Sequence, residues 1–536
     1  MDTISCCYLA IFVCIFTYVQ AKSPHLFLIL VDDLGYYNVG WNNPSQISPN
    51  INELAADGIR LEQHYTYQYC SPTRCSVLSG RLPIHVNELL PTPQQPGGMD
   101  LRMKTIADQL KKVNYTTAFV GKGHIGSYAK ANLPIHRGFD HHFGFLGGGE
   151  DHMTQQDQGY TDLWRDNQPA FGENGTMYSC DLYTQEMMKL LNNHNPDEPF
   201  FGYLAFQNTH APYQAPARWL DPKVNQSLRQ LQQAMVTAVD SATGNITQLL
   251  KNKGMWNDTL LVWSSDNGGP QYWAANNHPL RGGKWSDFQG GVRTAAFVSG
   301  GLLPPSAAKT VLTEPIHVTD WYSTYAHLAG VDPSDASWAP GVPGLDSINM
   351  WPLLTGQTQT SPRQEIPLST NTLIVGDWKI LNTGFTNSWD AECVQHNDTD
   401  PNCNLGYWTG SDWPQANCGG GNPGEPTICP HDCTTDKGCE VDPNECSTSP
   451  CLFNLKSDPL EKNNLAAEQP DMLAKLHTRL SELQQTLFQT TDSGMTFTEC
   501  DASWDQTLVR NGGFASYMCA STTLQLEESA RGIQQD

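Results

Sequence analysis

Four unbroken apolar runs punctuate the first half of the chain. Residues 25–31 (His-Leu-Phe-Leu-Ile-Leu-Val) form the first; residues 117–120, 199–206 and 259–264 follow. An unbroken run of this length predicts a strand buried on both faces, because a half-exposed strand alternates. Helical periodicity fills the gaps. Residues 48–55 open with Ser-Pro and predict a short amphipathic helix. Residues 101–113 place Ile106 and Leu110 on one face, and a long helical stretch covers residues 228–251. Strands alternating with helices predict an α/β domain. After about residue 360 the pattern changes. Residues 372–381 predict a hairpin turning at Gly376-Asp377, residues 451–455 a further strand, and residues 472–487 an amphipathic helix.

Each long run ends by delivering polar groups. The first ends in Asp32-Asp33, the second in Gly121-Lys122-Gly123-His124, the third in Gln207-Asn208-Thr209-His210 and the fourth in Ser265-Asp266-Asn267. Ligand sites of α/β sheets lie outside the carboxyl ends of the strands. Asp32, Asp33, Lys122, His124, His210, Asp266 and Asn267 are therefore expected to converge. Adjacent carboxylates at the end of a core strand call for a cation or metal partner, the alternative being a solvated turn. A glycine-rich loop at residues 276–293 carries Arg281, Lys284 and Arg293, and it lacks the Ser or Thr of a Walker A loop.

Residues 70–81 (Cys-Ser-Pro-Thr-Arg-Cys-Ser-Val-Leu-Ser-Gly-Arg) predict a helix, with Arg74, Val77, Leu78 and Arg81 at helical spacing and Pro72 in the first turn. Cys70 is thus expected at a helix N-terminus, where unpaired N–H groups and the dipole favour an anion. Half of a disulfide is the plain alternative for Cys70. Cys75 to Arg81 also spells Cys-x5-Arg, a tyrosine-phosphatase-like spacing, but Arg74 stands where that loop carries His.

Composition sharpens the picture in two ways. At 536 residues one large and one small domain are expected: a leader over residues 1–21, a catalytic domain over 22–360, and a C-terminal domain over 361–536 with a Cys-rich insertion at 393–451. The leader reading rests on the apolar residues 8–19 and the small Ala21; no later run is long enough for a membrane span. The 16 cysteines and the sequons at Asn114, Asn174, Asn225, Asn245, Asn257 and Asn397 point to the secretory pathway, with a lysosomal or extracellular destination. Removing Cys6, Cys7 and Cys14 with the leader leaves 13; with Cys70 set aside, the other 12 are able to pair. Disulfides are the expected state of the insertion, and zinc at Cys429-x3-Cys433 is the competing one. The net charge of −24 excludes nucleic acid and a polybasic membrane patch as partners, and it requires any attraction of an anion to be local.

Cys70-Ser-Pro-Thr-Arg74 with the trailing Leu78-Ser-Gly-Arg81 resembles the signature of the type I, formylglycine-dependent sulfatases. The likeness extends to Val31-Asp-Asp-Leu-Gly35, Pro49-Asn-Ile51, Gly121-Lys-Gly-His-Ile-Gly126, Ser265-Asp-Asn-Gly-Gly269, the Arg281–Arg293 loop and Leu452–Leu465, and is strongest to the arylsulfatase B branch of N-acetylgalactosamine-4-sulfatases. The resemblance implies an alkaline-phosphatase-like mixed sheet flanked by helices, plus a smaller C-terminal antiparallel sheet. It implies that a formylglycine-generating enzyme oxidises Cys70, and that Asp32, Asp33, Asp266, Asn267 and the converted Cys70 bind calcium, with magnesium as the alternative. An all-oxygen set suits either hard cation. It further implies that Arg74 and Lys122 stabilise the nucleophile, that Lys284 and His210 hold the sulfate of a sulfated glycan or aryl sulfate, and that His124 accepts a proton. Thr73, Gly123 and His278 depart from the commoner Ser, Trp and Trp of that pattern.

Overall fold

The computed structural model describes residues 22–89, 91, 97–220, 228–270, 275–334, 341–382, 446, 448–488 and 513–514. The expected leader, most of the Cys-rich insertion including Cys429 and Cys433, and the sequons at Asn225 and Asn397 lie outside these residues.

In chain order the main strands are β1 (His25–Val31), β2 (Ile59–Tyr65), β3 (Thr116–Gly121), β4 (His141–Gly144), β5 (Phe200–Ala205), β6 (Thr259–Ser265) and β7 (Arg293–Ser299). They form one 11-stranded sheet in the order β2-β7-β6-β1-β5-β3-β4, completed by short strands at both edges. Strands β6, β1, β5, β3 and β4 run parallel, whereas β7 is antiparallel to both β6 and β2. The sheet is mixed, as the resemblance implied.

Burial on both faces follows from the alternation of side chains along β1. Leu26, Leu28 and Leu30 enter one core, and Phe27, Ile29 and Val31 enter the other. Helices cover each face. Helices α1 (Pro49–Asp57), α4 (Ser179–Asn193) and α5 (Leu228–Asn252) pack on the second face through Ile51, Leu54, Tyr183, Met187, Val239 and Ile246. Helices α2 (Cys70–Ser79), α3 (Ile106–Lys111) and α6 (Asp320–Ala329) cover the first through Val77, Leu78, Ile106, Leu110, Trp321 and Tyr325. Gly80 ends α2 in the left-handed conformation (φ 71°), which glycine adopts without a Cβ penalty.

Helix α3 is shorter than the periodicity of residues 101–113 predicted. Thr105 caps it, with a reciprocal bond to Asp108, and this box fixes the start at Ile106.

The smaller sheet is antiparallel, in the order β8 (Glu365–Ser369), β9 (Thr372–Val375), β10 (Trp378–Leu381) and β11 (Cys451–Asn454). Helix α7 (Pro470–Gln484) packs Leu476, Leu480 and Leu483 on one face of it, together with Leu82 and Ile84 from just beyond α2. On the other face, Ile366, Leu368, Ile374, Leu381 and Phe453 pack against Tyr65, Phe288 and Val292. The small sheet therefore lies directly behind the glycine-rich loop.

One expectation from cysteine parity is corrected. Cys75 and Cys180 are fully buried free thiols, so not all of the 12 remaining cysteines pair. Parity counts residues without regard to depth, and both of these sit inside the cores as small apolar groups. Cys446 and Cys451 form a disulfide at the end of the Cys-rich segment.

Candidate active site

The carboxyl ends of β1, β3, β5 and β6 meet at one point, and helix α2 begins there. Backbone bonds between the strand ends tie them together: Asp32 N to Asn208 O (2.8 Å), Lys122 N to Ala205 O (2.8 Å) and Asp266 N to Val31 O (3.0 Å). Every residue predicted to converge does so. Asp32, Asp33, Cys70 and Asp266 each offer a ligand atom, and these four atoms lie within 4.8 Å of one another. All four are buried, with Asp32 and Asp266 at 0% exposure, which rules out the solvated-turn alternative.

Three cations balance the three carboxylates. Arg74, one turn into α2, donates Nε and Nη2 to Asp266 Oδ2 (3.0 and 2.7 Å), and its Nη2 lies 3.7 Å from Asp32 Oδ1. Lys122 Nζ donates to Asp32 Oδ2 (2.5 Å), and Lys284 Nζ to Asp33 Oδ2 (2.8 Å). The glycine-rich loop thus delivers Lys284 to the site. Arg281 and Arg293 lie elsewhere: Arg281 donates to the Glu461 carbonyl and Arg293 to Glu62.

The charges perturb one another in a consistent direction. Burial raises the Asp33 carboxyl, but Lys284, His210 and Lys122 outweigh it and hold Asp33 at about 2. Burial and the Asp32 charge push Asp266 up to about 6, against Arg74. Burial, then the same Asp32 charge, push the Cys70 thiol far above its usual range. Cys70 Sγ accordingly remains a thiol and donates to Asp32 Oδ1 (3.4 Å). A protonated, fully buried thiol is a weak nucleophile. Burial and Lys122 drive His124 well below the usual imidazole range, and burial and Lys284 drive His210 down to about 3. Both rings are neutral at ordinary pH.

Asn267 provides the test of fit for a metal. Its Nδ2 donates to Asp33 Oδ1 (2.7 Å) and to Gly268 O (2.9 Å), which fixes the amide, while its Oδ1 is buried without a partner. A buried oxygen without a donor beside three carboxylates matches the donor chemistry of a hard divalent cation. Such an ion would give the otherwise balanced cluster a net charge of about +2 and create the local attraction for an anion that the acidic surface lacks.

His210 Nδ1 donates to Ala211 O (2.7 Å), leaving Nε2 directed at the site, 3.7 Å from Asp33 Oδ2. His124 Nδ1 is buried without a partner. Asp33, His124 and Trp285 adopt positive φ (58°, 54° and 73°), as do seven other non-glycine residues among those described.

Two features of the site escaped the sequence reading. Gly148 and Gly149 follow β4 and lie against the two histidine rings. A Cβ on Gly148 would meet His124 Cε1 at 2.8 Å, and one on Gly149 would meet His210 Cε1 at 3.1 Å. The run Gly147-Gly148-Gly149 was the available signal. The second feature is a buried network behind Lys284. Lys379 donates to Glu461 Oε1 and to Asp287 O, Glu461 Oε2 accepts from Gln289 N (2.6 Å), and Ser369 and Thr372 donate to Asp287 Oδ2. The small sheet holds the Lys284 loop through these bonds.

Comparison with known proteins gives a consistent result. The sequence model for the family described as Sulfatase matches residues 24–331. The chain is 33% identical over 489 residues to arylsulfatase J of Mus musculus, covering 87% of this chain and 76% of that one. It is 30% identical over 415 residues to N-acetylgalactosamine-6-sulfatase of Mus musculus, with 72% and 76% covered. Among solved structures, Ps i-CgsB in complex with k-i-k-neocarrahexaose superposes with a TM-score of 0.67 at 24% identity, over 96% of this chain and 98% of that one, and so shares the fold.

Proposed function

The chain belongs to the sulfatase family of sulfuric ester hydrolases, and on that premise we propose that it cleaves sulfate esters of glycans or aryl alcohols with a formylglycine made from Cys70 and one bound calcium ion. The observation that carries the reading is the buried meeting of Asp32, Asp33, Asp266 and Cys70 beside the unpartnered Asn267 oxygen. As a thiol, Cys70 has no chemistry to offer here, since burial and Asp32 keep it protonated. Converted to formylglycine, it supplies a hydrated aldehyde, with one hydroxyl to attack sulfur and a second whose deprotonation lets the aldehyde re-form and sulfate leave. Cys70 is 2% exposed, so the enzyme that oxidises it acts before α2 is buried.

Asp32, Asp33, Asp266 and Asn267 would hold the metal, with magnesium as the alternative ion; the metal supplies Lewis-acid polarisation of a sulfate oxygen. Arg74 keeps Asp266 oriented and, with Lys122, fixes positive charge beside the Cys70 position. Lys284 lies where it contacts a sulfate oxygen; His210, neutral with its proton on Nδ1, takes a second proton at Nε2 as the sulfate ester binds, and one of the two then passes a proton to the departing alcohol. The neutral, unpartnered His124 takes the proton whose removal releases sulfate. Positioned charge shielded from water is the principal source of rate in such transfers.

A secretory destination, lysosomal or extracellular, accords with exposed Asn114, Asn245 and Asn257 and with the Cys446–Cys451 disulfide. Among the described residues no helix is long and apolar enough to cross a membrane. The decisive experiment uses protein secreted from a eukaryotic cell. It releases p-nitrophenol from p-nitrophenyl sulfate and leaves p-nitrophenyl phosphate largely intact, and Cys70→Ala abolishes the sulfate reaction while secretion continues. Turnover retained by Cys70→Ala would sink the mechanism.

A further inference from the structure

The organic part of the ester must rest on something beside the sulfate position, and the rings flanking the two reactive loops supply a surface for it. Tyr69 immediately precedes Cys70 and is the N-cap of α2; Trp285 immediately follows Lys284. Trp285 N donates to Gln68 O (2.9 Å), which ties the two loops together. The ring centroids of Tyr69 and Trp285 lie 4.7 Å apart at 38°. Tyr67 packs edge-on behind Tyr69 (4.7 Å, 88°), and Tyr69 Oη donates to Glu88 O. The pair is therefore fixed in place. Lys284 Nζ, 2.8 Å from Asp33, is 5.4 Å from the Trp285 ring centroid, which puts the indole next to the sulfate position.

Resting on the sulfatase reading above, we infer that the Tyr69–Trp285 pair is the platform for the ring bearing the sulfate ester, and that the site takes a singly sulfated ring with an apolar face. Three observations support this. Both rings are partly exposed, although their neighbours Cys70 and Lys284 are buried (2% and 7%). Trp285 holds φ at 73°, a conformation costly for a bulky residue and found where function over-determines the backbone. Leu89, an exposed apolar side chain, immediately follows Glu88, whose carbonyl accepts from Tyr69. Aromatic platforms of this kind bind flat apolar faces, whether of an aryl group or of a pyranose.

The surrounding charge limits the class. The net charge of −24 opposes a chain bearing further sulfates far more strongly than a single ester, whose attraction to Lys284 is local. The platform therefore favours a ring that is uncharged apart from its one ester.

The test compares wild type, Trp285→Ala and Trp285→Phe, as secreted full-length enzyme, on p-nitrophenyl sulfate, a linear alkyl sulfate, a monosulfated N-acetylgalactosamine and a heparin-like oligosaccharide. Trp285→Ala is expected to lower the ratio of kcat/KM for ring over alkyl substrates by about tenfold or more, mainly through KM. Inhibition by inorganic sulfate, which reads the position of Lys284, stays within about twofold of wild type, and Trp285→Phe restores most of the ratio. Whichever ring substrate loses more, aryl or pyranose, identifies the natural source. An unchanged ratio, a failure of Trp285→Phe to restore it, parallel loss of sulfate inhibition, or faster turnover of the polysulfated chain overturns the platform alone. Wild type that cleaves no sulfate ester overturns the reading of the site and the platform with it.

Discussion

Substitution of Glu461 tests how the small sheet controls the site. Its carboxylate and the Lys379 ammonium are both fully buried, and they clamp the loop that carries Lys284. Glu461→Gln leaves an oxygen for Gln289 N but removes the charge opposite Lys379. Breaking a buried pair from one side costs about 3–5 kcal/mol, because a buried charge is stranded. Deprotonation of Lys379 sets a ceiling. Starting from an ordinary lysine near 10.4, neutralising it at pH 7 costs about 3.4 × 1.36, or roughly 4.6 kcal/mol; at pH 9 the same route costs about 1.9 kcal/mol. Burial already lowers Lys379, so the true cost lies at or below these ceilings. Denaturant unfolding of wild type and Glu461→Gln at pH 7 and pH 9 should show a destabilisation of about 3–4 kcal/mol that falls to under about 2 kcal/mol. Activity on an aryl sulfate should fall with the loosened Lys284 loop. A loss below about 1 kcal/mol at pH 7, or one that does not shrink at pH 9, would refute the clamp.

Gly148→Ala should lower kcat by about tenfold or more, because the new Cβ would meet His124 Cε1 at 2.8 Å and push the ring aside, with little change in urea midpoint; wild-type kinetics would mean that His124 is free to move without cost. Glu88, raised by burial from 4.5 to about 7, is more easily kept protonated when folded, so its contribution is full below pH 4.5 and is lost as pH rises through about 7. Glu88→Gln should therefore raise stability at pH 7–8 by at most about 3 kcal/mol and leave it unchanged at pH 4, as read from unfolding curves; a uniform effect at both pH values would contradict this. Exhaustive chelation should abolish sulfate release, with calcium restoring it better than magnesium, and Asp33→Asn should reduce bound metal measured by elemental analysis. Full activity in a metal-free sample would remove the metal from the account.

The parts of this fold that could be read from sequence are those whose signal is local. The run His25–Val31 announces a strand with two buried faces because every side chain on it is apolar. The polar groups at strand ends then locate the site, since parallel strands align their carboxyl ends. Strand β2 escaped notice because Arg60, Glu62 and Gln63 interrupt its apolar pattern; it lies near the sheet edge, where these side chains reach solvent. Strand β7 was not assigned from the sequence; it begins at the last residue of the glycine-rich loop, and its antiparallel pairing with β6 exists only in the fold. The Asp32-Asp33 pair was legible as a cation site, but the partners that balance it came from β3, α2 and a loop some 250 residues away. Lys379 and Glu461 are 82 residues apart and their pairing exists only in the fold. Cysteine parity failed for a related reason, since it cannot tell a buried thiol such as Cys75 from one near a partner.

Peptide mass spectrometry across Cys70, on protein secreted from a eukaryotic cell and then reduced and alkylated, tests the central claim most directly. The account predicts an aldehyde or its hydrate in place of the thiol, with no alkyl adduct at residue 70, while Cys75 and Cys180 are alkylated once the protein is unfolded. Active protein whose Cys70 is alkylated throughout would contradict it.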